Sequence, residues 1–522
     1  MGQAAKPMGI PGRTGKRNVM KLKEVLRYLQ YDHFSGDSEV EFREIAYDSR
    51  AVKKGDLFVA IRGWKSDGHL FLDEAQRSGA AAVVVADADK CPAGIPCIGV
   101  VDTREALAQI AFHYYHPPFD QMNLIGITGT NGKTTTTYLL ESILANAGRH
   151  VGVIGTVNYR FPGAEYKAPV TTPESLDLMQ IMRRMADQGV GDVVLEVSSH
   201  ALHQGRTRGC PFTVAVFTNI SRDHLDYHGS EEAYFEAKSR LFTALKESRS
   251  GPRTTALINM DDPWGARLKD MTPSEVVTIT YGLQKKCDVR AVDVKMKGDG
   301  IEAGMITPKG EMTVRSSLIG DFNVYNLMAA TGAALALGVA EDEIPSGIAA
   351  LAGVPGRLER VKNSAGKNIV VDYAHTPDAL SKAIQAVRPY AKERVISVFG
   401  CGGDRDKGKR REMGHVAARL SDRVILTSDN PRSEEPNEII AQIEEGVRLT
   451  GMISETDFSG TDAPQKAYWI MPDRAEAIRM AVRWATPGDV VLIAGKGHET
   501  YQIVGQEVRD FDDRLVAAEA AS

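Results

Sequence analysis

The run Gly129-Thr130-Asn131-Gly132-Lys133-Thr134-Thr135 carries the most pointed chemistry in this sequence. Its glycines let successive backbone N–H groups face phosphate oxygens, Lys133 can reach the terminal phosphates, and the Thr134 hydroxyl can ligate Mg²⁺. The spacing departs from the standard phosphate loop at one place, because the first glycine of GxxxxGK[ST] would fall on Ile127. Glu196 ends an apolar run and is followed by Val197-Ser198-Ser199-His200. A carboxylate emerging where a strand stops suits Mg²⁺, which takes one or two carboxylates with phosphate and water. By itself the residue leaves a capping or salt-bridge role equally open. Residues 218–228 again follow an apolar run and are dense in polar groups, among them Asp223, His224, Asp226 and His228. Four more polar clusters follow apolar runs: Asp372-Tyr373-Ala374-His375, residues 400–405 ending in Arg405, Asp429-Asn430-Pro431-Arg432, and Gly495-Lys496-Gly497-His498-Glu499. Any one of them could be turn chemistry. A parallel sheet gathers the carboxyl ends of its strands at one edge, so the four together predict one crevice.

The elements needed to position these groups are those of α/β sheets. Short apolar runs at 57–61, 81–85 and 98–101 alternate with helical stretches such as 103–113, which reads as a first small domain. His116-Pro117-Pro118 breaks the chain before the run 124–128, which feeds the glycine-rich turn and a helix from about Thr134. Strand candidates follow at 193–197, 213–217 and 255–258, then helical stretches at 329–337 and 343–351. After Gly353-Val354-Pro355-Gly356, a candidate hinge, the alternation restarts at 369–372, 395–399, 424–427 and 490–493. The expected fold class is α/β in three domains. They are a small α/β domain over 20–118, a central P-loop domain with a mostly parallel sheet over 119–353, and a Rossmann-like domain over 354–522. Residues 1–19, with Lys6, Arg13, Lys16 and Arg17 and no acidic residue, read as a flexible basic tail. A chain of 522 residues agrees with three domains at about 150 residues each.

Composition narrows the function classes. With 43% hydrophobic and 25% charged residues the chain is neither disordered nor fibrous. Its net charge of -5 offers no general attraction to nucleic acid or anionic membranes. The five cysteines are scattered and lack metal-ligand spacing, so no disulfide is expected. No stretch approaches the ~18–20 apolar residues of a membrane helix, so no membrane insertion and a cytoplasmic location are expected.

These motifs resemble those of the Mur ligase family, the ATP-dependent amino-acid-adding enzymes of peptidoglycan synthesis. The resemblance runs from Leu22 to Val516. It rests on GTNGKTT at 129–135, EVSSH at 196–200, TNxSRDHLDYH at 218–228, GDFNVYN at 320–326, GR at 356–357, DYAHTPDAL at 372–380 and GKGHE at 495–499. Within the family the chain is most similar to the branch that extends UDP-N-acetylmuramoyl-L-alanyl-D-glutamate. DNPR at 429–432 resembles the sub-branch that adds meso-2,6-diaminopimelate, whereas lysine-adding relatives generally lack that arginine. The resemblance implies an amide ligase working through an acyl phosphate, with ATP and two Mg²⁺ ions as cofactors; a monomeric chain is expected, though nothing in the sequence fixes the oligomeric state.

Residue by residue, it implies that Gly129 to Thr135, Asn326, Arg357, Asp372 and His375 meet ATP. Thr134, Glu196 and His224 would hold Mg²⁺. Ser49, within Tyr47-Asp48-Ser49-Arg50, and Trp64-Lys65-Ser66 would meet the uridine nucleotide. Thr171, Thr172, Ser198, Gln204 and Arg206 would bind the sugar, diphosphate and peptide stem. Arg405, Asp429, Asn430, Pro431, Arg432, Gly495 and Glu499 would bind the amino acid. Lys238 reads from its surroundings as a solvated lysine on a charged helix. The resemblance implies instead a lysine carbamylated by CO₂, a further metal ligand, acting with Lys133 and His224 in catalysis. The rival readings are a lysine-adding Mur ligase, a folylpolyglutamate synthetase, or a P-loop NTPase that only hydrolyses ATP.

Overall fold

A computed structural model describes residues 19–63, 66–246, 253–284, 286–297, 300–455 and 466–522. The basic tail, apart from Val19, and the Trp64-Lys65 pair lie outside the described residues. Three α/β sheets follow one another along the chain, as the alternation of apolar runs predicts. The first has five strands, four of them parallel, from Ile45–Ala46 through Leu57–Val59 and Ala82–Val85 to Cys97–Gly99, with His33–Ser35 antiparallel at the edge. A disulfide joins Cys91 to Cys97 across a Cα separation of 5.8 Å, which corrects the expectation of none. Spacing hides this pairing: after the short turn Ala88–Lys90 the chain doubles back onto the strand that Cys97 opens.

The central sheet has eight strands, six parallel, with the phosphate-loop strand Asn123–Thr128 between Asp192–Glu196 and Val214–Phe217. Its register sets the site. Glu196 pairs with Ile127, and Phe217 pairs with Thr128, so three strands end level at one edge. The helix Lys133–Asn146 returns over the sheet and buries Leu139, Leu140, Ile143 and Leu144. Each such side chain contributes about 1.5–3 kcal/mol relative to exposure, which fixes the helix N-terminus against the strand ends. Phe322–Ala336 packs beside it and is buried over most of its length.

The third sheet has seven strands, six of them parallel. Here Ala494 pairs with both Asp372 and Phe399, and Phe399 with Leu426, so the polar clusters that follow these strands leave from one edge. The alternation rule missed the antiparallel additions: the hairpin Asn158–Phe161/Ala164–Lys167, the three-stranded sheet spanning Arg290–Ser316, and the hairpin Tyr501–Val504/Glu507–Asp510.

Candidate active site

The phosphate loop is shaped by the backbone that follows the next strand. Thr130 N–H donates to the Asn219 carbonyl (2.8 Å), Asn131 N–H to Asn219 Oδ1 (3.0 Å), and Thr218 Oγ1 to the Asn131 carbonyl (2.6 Å). Gly129 has φ +146°, and a Cβ there would lie 1.9 Å from Thr218 Oγ1, so only glycine fits. Lys133 Nζ donates to the carbonyls of Gly129 and Thr130, both at 2.9 Å. Lys238 Nζ donates to the same Gly129 carbonyl, also at 2.9 Å. Lys238 is 2% exposed and faces the sheet with Tyr234, Leu241 and Phe242 on the helix Glu231–Thr243, its ammonium 4.5 Å from the Tyr234 ring centroid. Burial, reinforced by the Lys133 charge, holds its pKa well below the ordinary lysine value. Burial likewise lowers Lys133, opposed by Glu196 and aided by Arg357.

Glu196 is 1% exposed. Its Oε2 accepts from Thr134 Oγ1 (3.0 Å) and Thr156 Oγ1 (2.9 Å), and its Oε1 from Thr156 N–H (3.0 Å). Among the described residues it has no ion pair, so this buried carboxyl is met by neutral donors beside a phosphate loop. That donor set fits a divalent cation held largely by phosphate and water. His224 stands at the same cleft in a left-handed conformation (φ 53°), its ring 4.8 Å from that of His200.

The cleft encloses about 700 Å³ and its lining crosses from the central to the C-terminal domain. Arg357 Nη2 donates to Thr134 Oγ1 (3.2 Å) and Asn131 Nδ2 to Asp378 Oδ2 (3.4 Å). Asp372 is held by the N–H groups of Leu358 (2.7 Å) and Ala374 (2.8 Å), and burial raises its pKa. Desolvation holds His375 down to about 4, so it is a neutral imidazole at pH 7. Thr136 Oγ1 donates to Asn326 Oδ1 (3.3 Å), which places Asn326 against the loop.

Thr171 and Ser198 open on the same cleft. Behind them Thr172 Oγ1 donates to the Glu196 carbonyl (2.8 Å) and accepts from Ser198 N–H (3.0 Å), while Arg206 bonds the Thr172 carbonyl (2.9 Å) and Gln204 Oε1. Thr172, Ser198, Gln204 and Arg206 thus form one network, which Thr171 joins through Thr156 and Glu196. Ser49 stands apart in the first domain, where its hydroxyl donates to Glu74 (2.9 Å).

The C-terminal clusters form a second group. Asn430 Nδ2 donates to Glu499 Oε2 (2.9 Å), and Arg432 Nη1 to the Gly403 carbonyl (2.8 Å). Gly495 (φ +115°) brings its strand end so close that a Cβ would lie 2.5 Å from Asp429 Oδ2. Pro431 turns the chain between Asn430 and Arg432, its carbonyl accepting from Glu434 N–H (3.1 Å), and Arg405 stands exposed, acting on Arg432 as a like charge. Sequence reasoning gave Lys496 no role, yet its fully buried ammonium lies 3.2 Å from both Asn430 Oδ1 and Glu499 Oε2. It also passed over Thr156 and Tyr501.

A phosphate loop in a cleft whose lining is shared by the central and C-terminal domains defines a three-domain, nucleotide-dependent enzyme. Comparison with known proteins makes the class specific. The Mur ligase family, catalytic domain, matches residues 41–115; the Mur ligase middle domain matches 127–334; and the Mur ligase, glutamate ligase domain, matches 356–497. The chain is 48% identical over 505 residues to a UDP-N-acetylmuramoyl-L-alanyl-D-glutamate--2,6-diaminopimelate ligase of Geobacter metallireducens, covering 96% of this chain and 98% of that one. It is 45% identical over 504 residues to the ligase of the same name from Geobacillus thermodenitrificans, covering 96% and 99%. A solved structure of a ligase with that name superposes with a TM-score of 0.66 at 33% identity, over 97% of this chain and 99% of the other. The chain belongs to the Mur ligase family.

Proposed function

We propose that this ligase adds meso-2,6-diaminopimelate to the D-glutamyl carboxylate of UDP-N-acetylmuramoyl-L-alanyl-D-glutamate, with ATP, in peptidoglycan precursor synthesis. The observation that carries the reading is the meeting, in one cleft, of the phosphate loop with Thr171 and Ser198 from one side and Arg357, Asp372 and His375 from the other. It is joined by the name shared by relatives that match nearly the whole chain. The carboxylate oxygen attacks the γ-phosphorus and ADP leaves. The amine then attacks the acyl carbon, and inorganic phosphate departs with that oxygen.

Negative charge builds first on phosphoryl oxygens and then on a tetrahedral oxyanion, so fixed donors do most of the work. Lys133 supplies one, released from the Gly129 and Thr130 carbonyls as phosphate arrives. Thr134, Glu196 and His224, with Lys238 as a carbamate, would hold Mg²⁺, which when bound neutralises phosphate charge. Lys238 is suited to carbamylation because burial disfavours its charged form, and the neutral amine is the form that adds CO₂. The UDP-linked stem is assigned to Ser49, Thr171, Thr172, Ser198, Gln204 and Arg206. The amino acid is assigned to Arg405, Asp429, Asn430, Pro431, Arg432, Gly495 and Glu499.

Domain limits near 118/119 and 353/354, a monomeric state and a cytoplasmic location complete the reading; among the described residues no helix is long and apolar enough to cross a membrane. The test is ligation by the pure protein with ATP, Mg²⁺, the UDP-dipeptide and diaminopimelate. The product should gain the mass of one diaminopimelate less water, and phosphate release should need both substrates. Phosphate release independent of them would support an NTPase instead.

A further inference from the structure

The hairpin that opens with the strand Tyr501–Val504 is tied to the residues assigned to the amino acid by four hydrogen bonds, three from the strand and one from Gly505 in its turn. Ile503 N–H donates to Asn430 Oδ1 (2.9 Å), Gln502 Nε2 to the Asp429 carbonyl (2.8 Å), Arg432 N–H to the Ile503 carbonyl (3.1 Å) and Gly505 N–H to the Arg432 carbonyl (2.7 Å). Any shift of this strand therefore shifts Asp429, Asn430 and Arg432 with it. Tyr501, at its start, has Glu499, Asp429, Arg432 and Arg405 as its charged neighbours. The buried Lys496 ammonium lies 5.5 Å from its ring centroid.

A second cation approaches Tyr501 from the other domain. Lys167 Nζ of the central domain lies 5.1 Å from the same ring centroid, within the range of an attractive cation–π contact. Lys167 ends the hairpin strand Ala164–Lys167, whose partner Asn158–Phe161 pairs with Val151–Ile154. Thr156 leaves that last strand to bond Glu196 (2.9 Å), and its hydroxyl also meets Thr171 Oγ1 (3.1 Å), four residues after Lys167. One short path thus runs from Glu196 and Thr171, on the acceptor side, through Lys167 and Tyr501 to Asp429 and Asn430, on the amino-acid side.

We infer that Lys167 and Tyr501 are positioning residues that couple the acceptor site of the central domain to the amino-acid site of the C-terminal domain. The hairpin Asn158–Lys167 seats Tyr501, and through it the DNPR segment, when the two domains meet around the acceptor. This rests on the ligase reading above. Lys167 is exposed, so the contact is worth a modest factor, roughly 2- to 5-fold in apparent affinity.

The test uses the full-length enzyme, with separate KM values for diaminopimelate, ATP and the UDP-dipeptide in wild type, Lys167→Met, Lys167→Arg, Tyr501→Leu and the Lys167→Met/Tyr501→Leu double variant. The expected result is a ~2- to 5-fold higher KM for diaminopimelate in Lys167→Met with KM for ATP unchanged. Lys167→Arg should restore it, and the double variant should be no worse than Tyr501→Leu alone, because the pair acts as a unit. A KM for diaminopimelate unchanged by Lys167→Met, a parallel rise in KM for ATP, or additive effects would each overturn the coupling. Wild-type enzyme that fails to ligate diaminopimelate at all would instead refute the underlying function, so the two failures are distinguishable.

Discussion

The phosphate-loop cleft and the C-terminal polar group hold their basic side chains by different means. In the central domain Lys133 and Lys238 are anchored by backbone carbonyls, two of their three bonds ending on the single carbonyl of Gly129. In the C-terminal domain Lys496 is anchored by the side chains of Asn430 and Glu499, while Arg432 leans on the Gly403 carbonyl beside an exposed Arg405. Backbone carbonyls come with the loop's shape, so the first site is set by glycine geometry and by the register of the central sheet. Side-chain partners are free to change without altering the strands. On the proposed reading, phosphoryl transfer would use the site that the fold dictates, and the choice of amino acid would use the site whose side chains can change without altering the fold.

The largest effect should come from challenging the site that is held by side chains. Diaminopimelate brings a distal carboxylate and ammonium that lysine lacks in part, and a guanidinium placed for that carboxylate would be left desolvated and unpaired with lysine. Burial already lowers the Arg432 pKa, which marks the cost of leaving it unpaired. The wild-type enzyme should prefer diaminopimelate over lysine by roughly 10⁴-fold in kcat/KM, and Arg432→Ala should lose most of that preference while turnover of ATP chemistry persists. Comparable kcat/KM values for the two amino acids in the wild type would remove the DNPR segment from specificity.

Next comes the phosphate-loop site. Lys133→Ala should leave the fold intact, because the side chain packs no core and its ammonium touches only loop carbonyls. The loss of kcat should be on the order of 10² to 10³-fold or more, with circular dichroism unchanged. If activity stayed near native, the loop would not be the phosphate site, and the contrast between backbone-set and side-chain-set halves would fall.

What was legible in the sequence follows the same division. The runs at 124–128, 193–197, 369–372 and 395–399 match strands to within a residue or so, since continuous apolar stretches ending in glycine or acid are how buried parallel strands read. Antiparallel hairpins were not legible. Asn158–Phe161 and Ala164–Lys167 carry Arg160, Glu165 and Lys167 on half-open faces, a pattern shared with polar loops. The burial of Lys238 was hidden because helix periodicity reports which face is apolar, not that a long side chain on that face ends on a carbonyl 109 residues away in sequence. Lys496 was hidden by its small neighbours Gly495 and Gly497, which read as a turn.

The smallest expected effect sharpens the comparison with a buried carboxylate outside the cleft. Glu196 and Asp372 line the phosphate-loop cleft, whereas Asp177 lies between the first and central domains, where Tyr47 OH donates to its Oδ2 (2.6 Å). Desolvation raises the Asp177 pKa to about 6, with Glu174 adding to the rise and the Tyr47 bond and Arg206 opposing it. The folded state therefore binds this proton more tightly than the unfolded chain, whose carboxyl titrates near 3.9. Between these values the folded state carries more protons than the unfolded one, so this group makes stability fall as pH rises; the penalty is complete above about pH 6 and absent below about pH 4. Its size is at most roughly 3 kcal/mol, less because the carboxyl is only partly shielded from water. Asp177→Asn keeps an acceptor for Tyr47 and removes the charge. Its melting temperature relative to wild type should then rise between pH 4 and pH 7, and level off above, with ligation unchanged. Acid effects common to both proteins cancel in that difference. A difference that stays flat or reverses across this interval would show that Asp177 is ionised in the fold at no cost, and that the joint between the first two domains does not desolvate it.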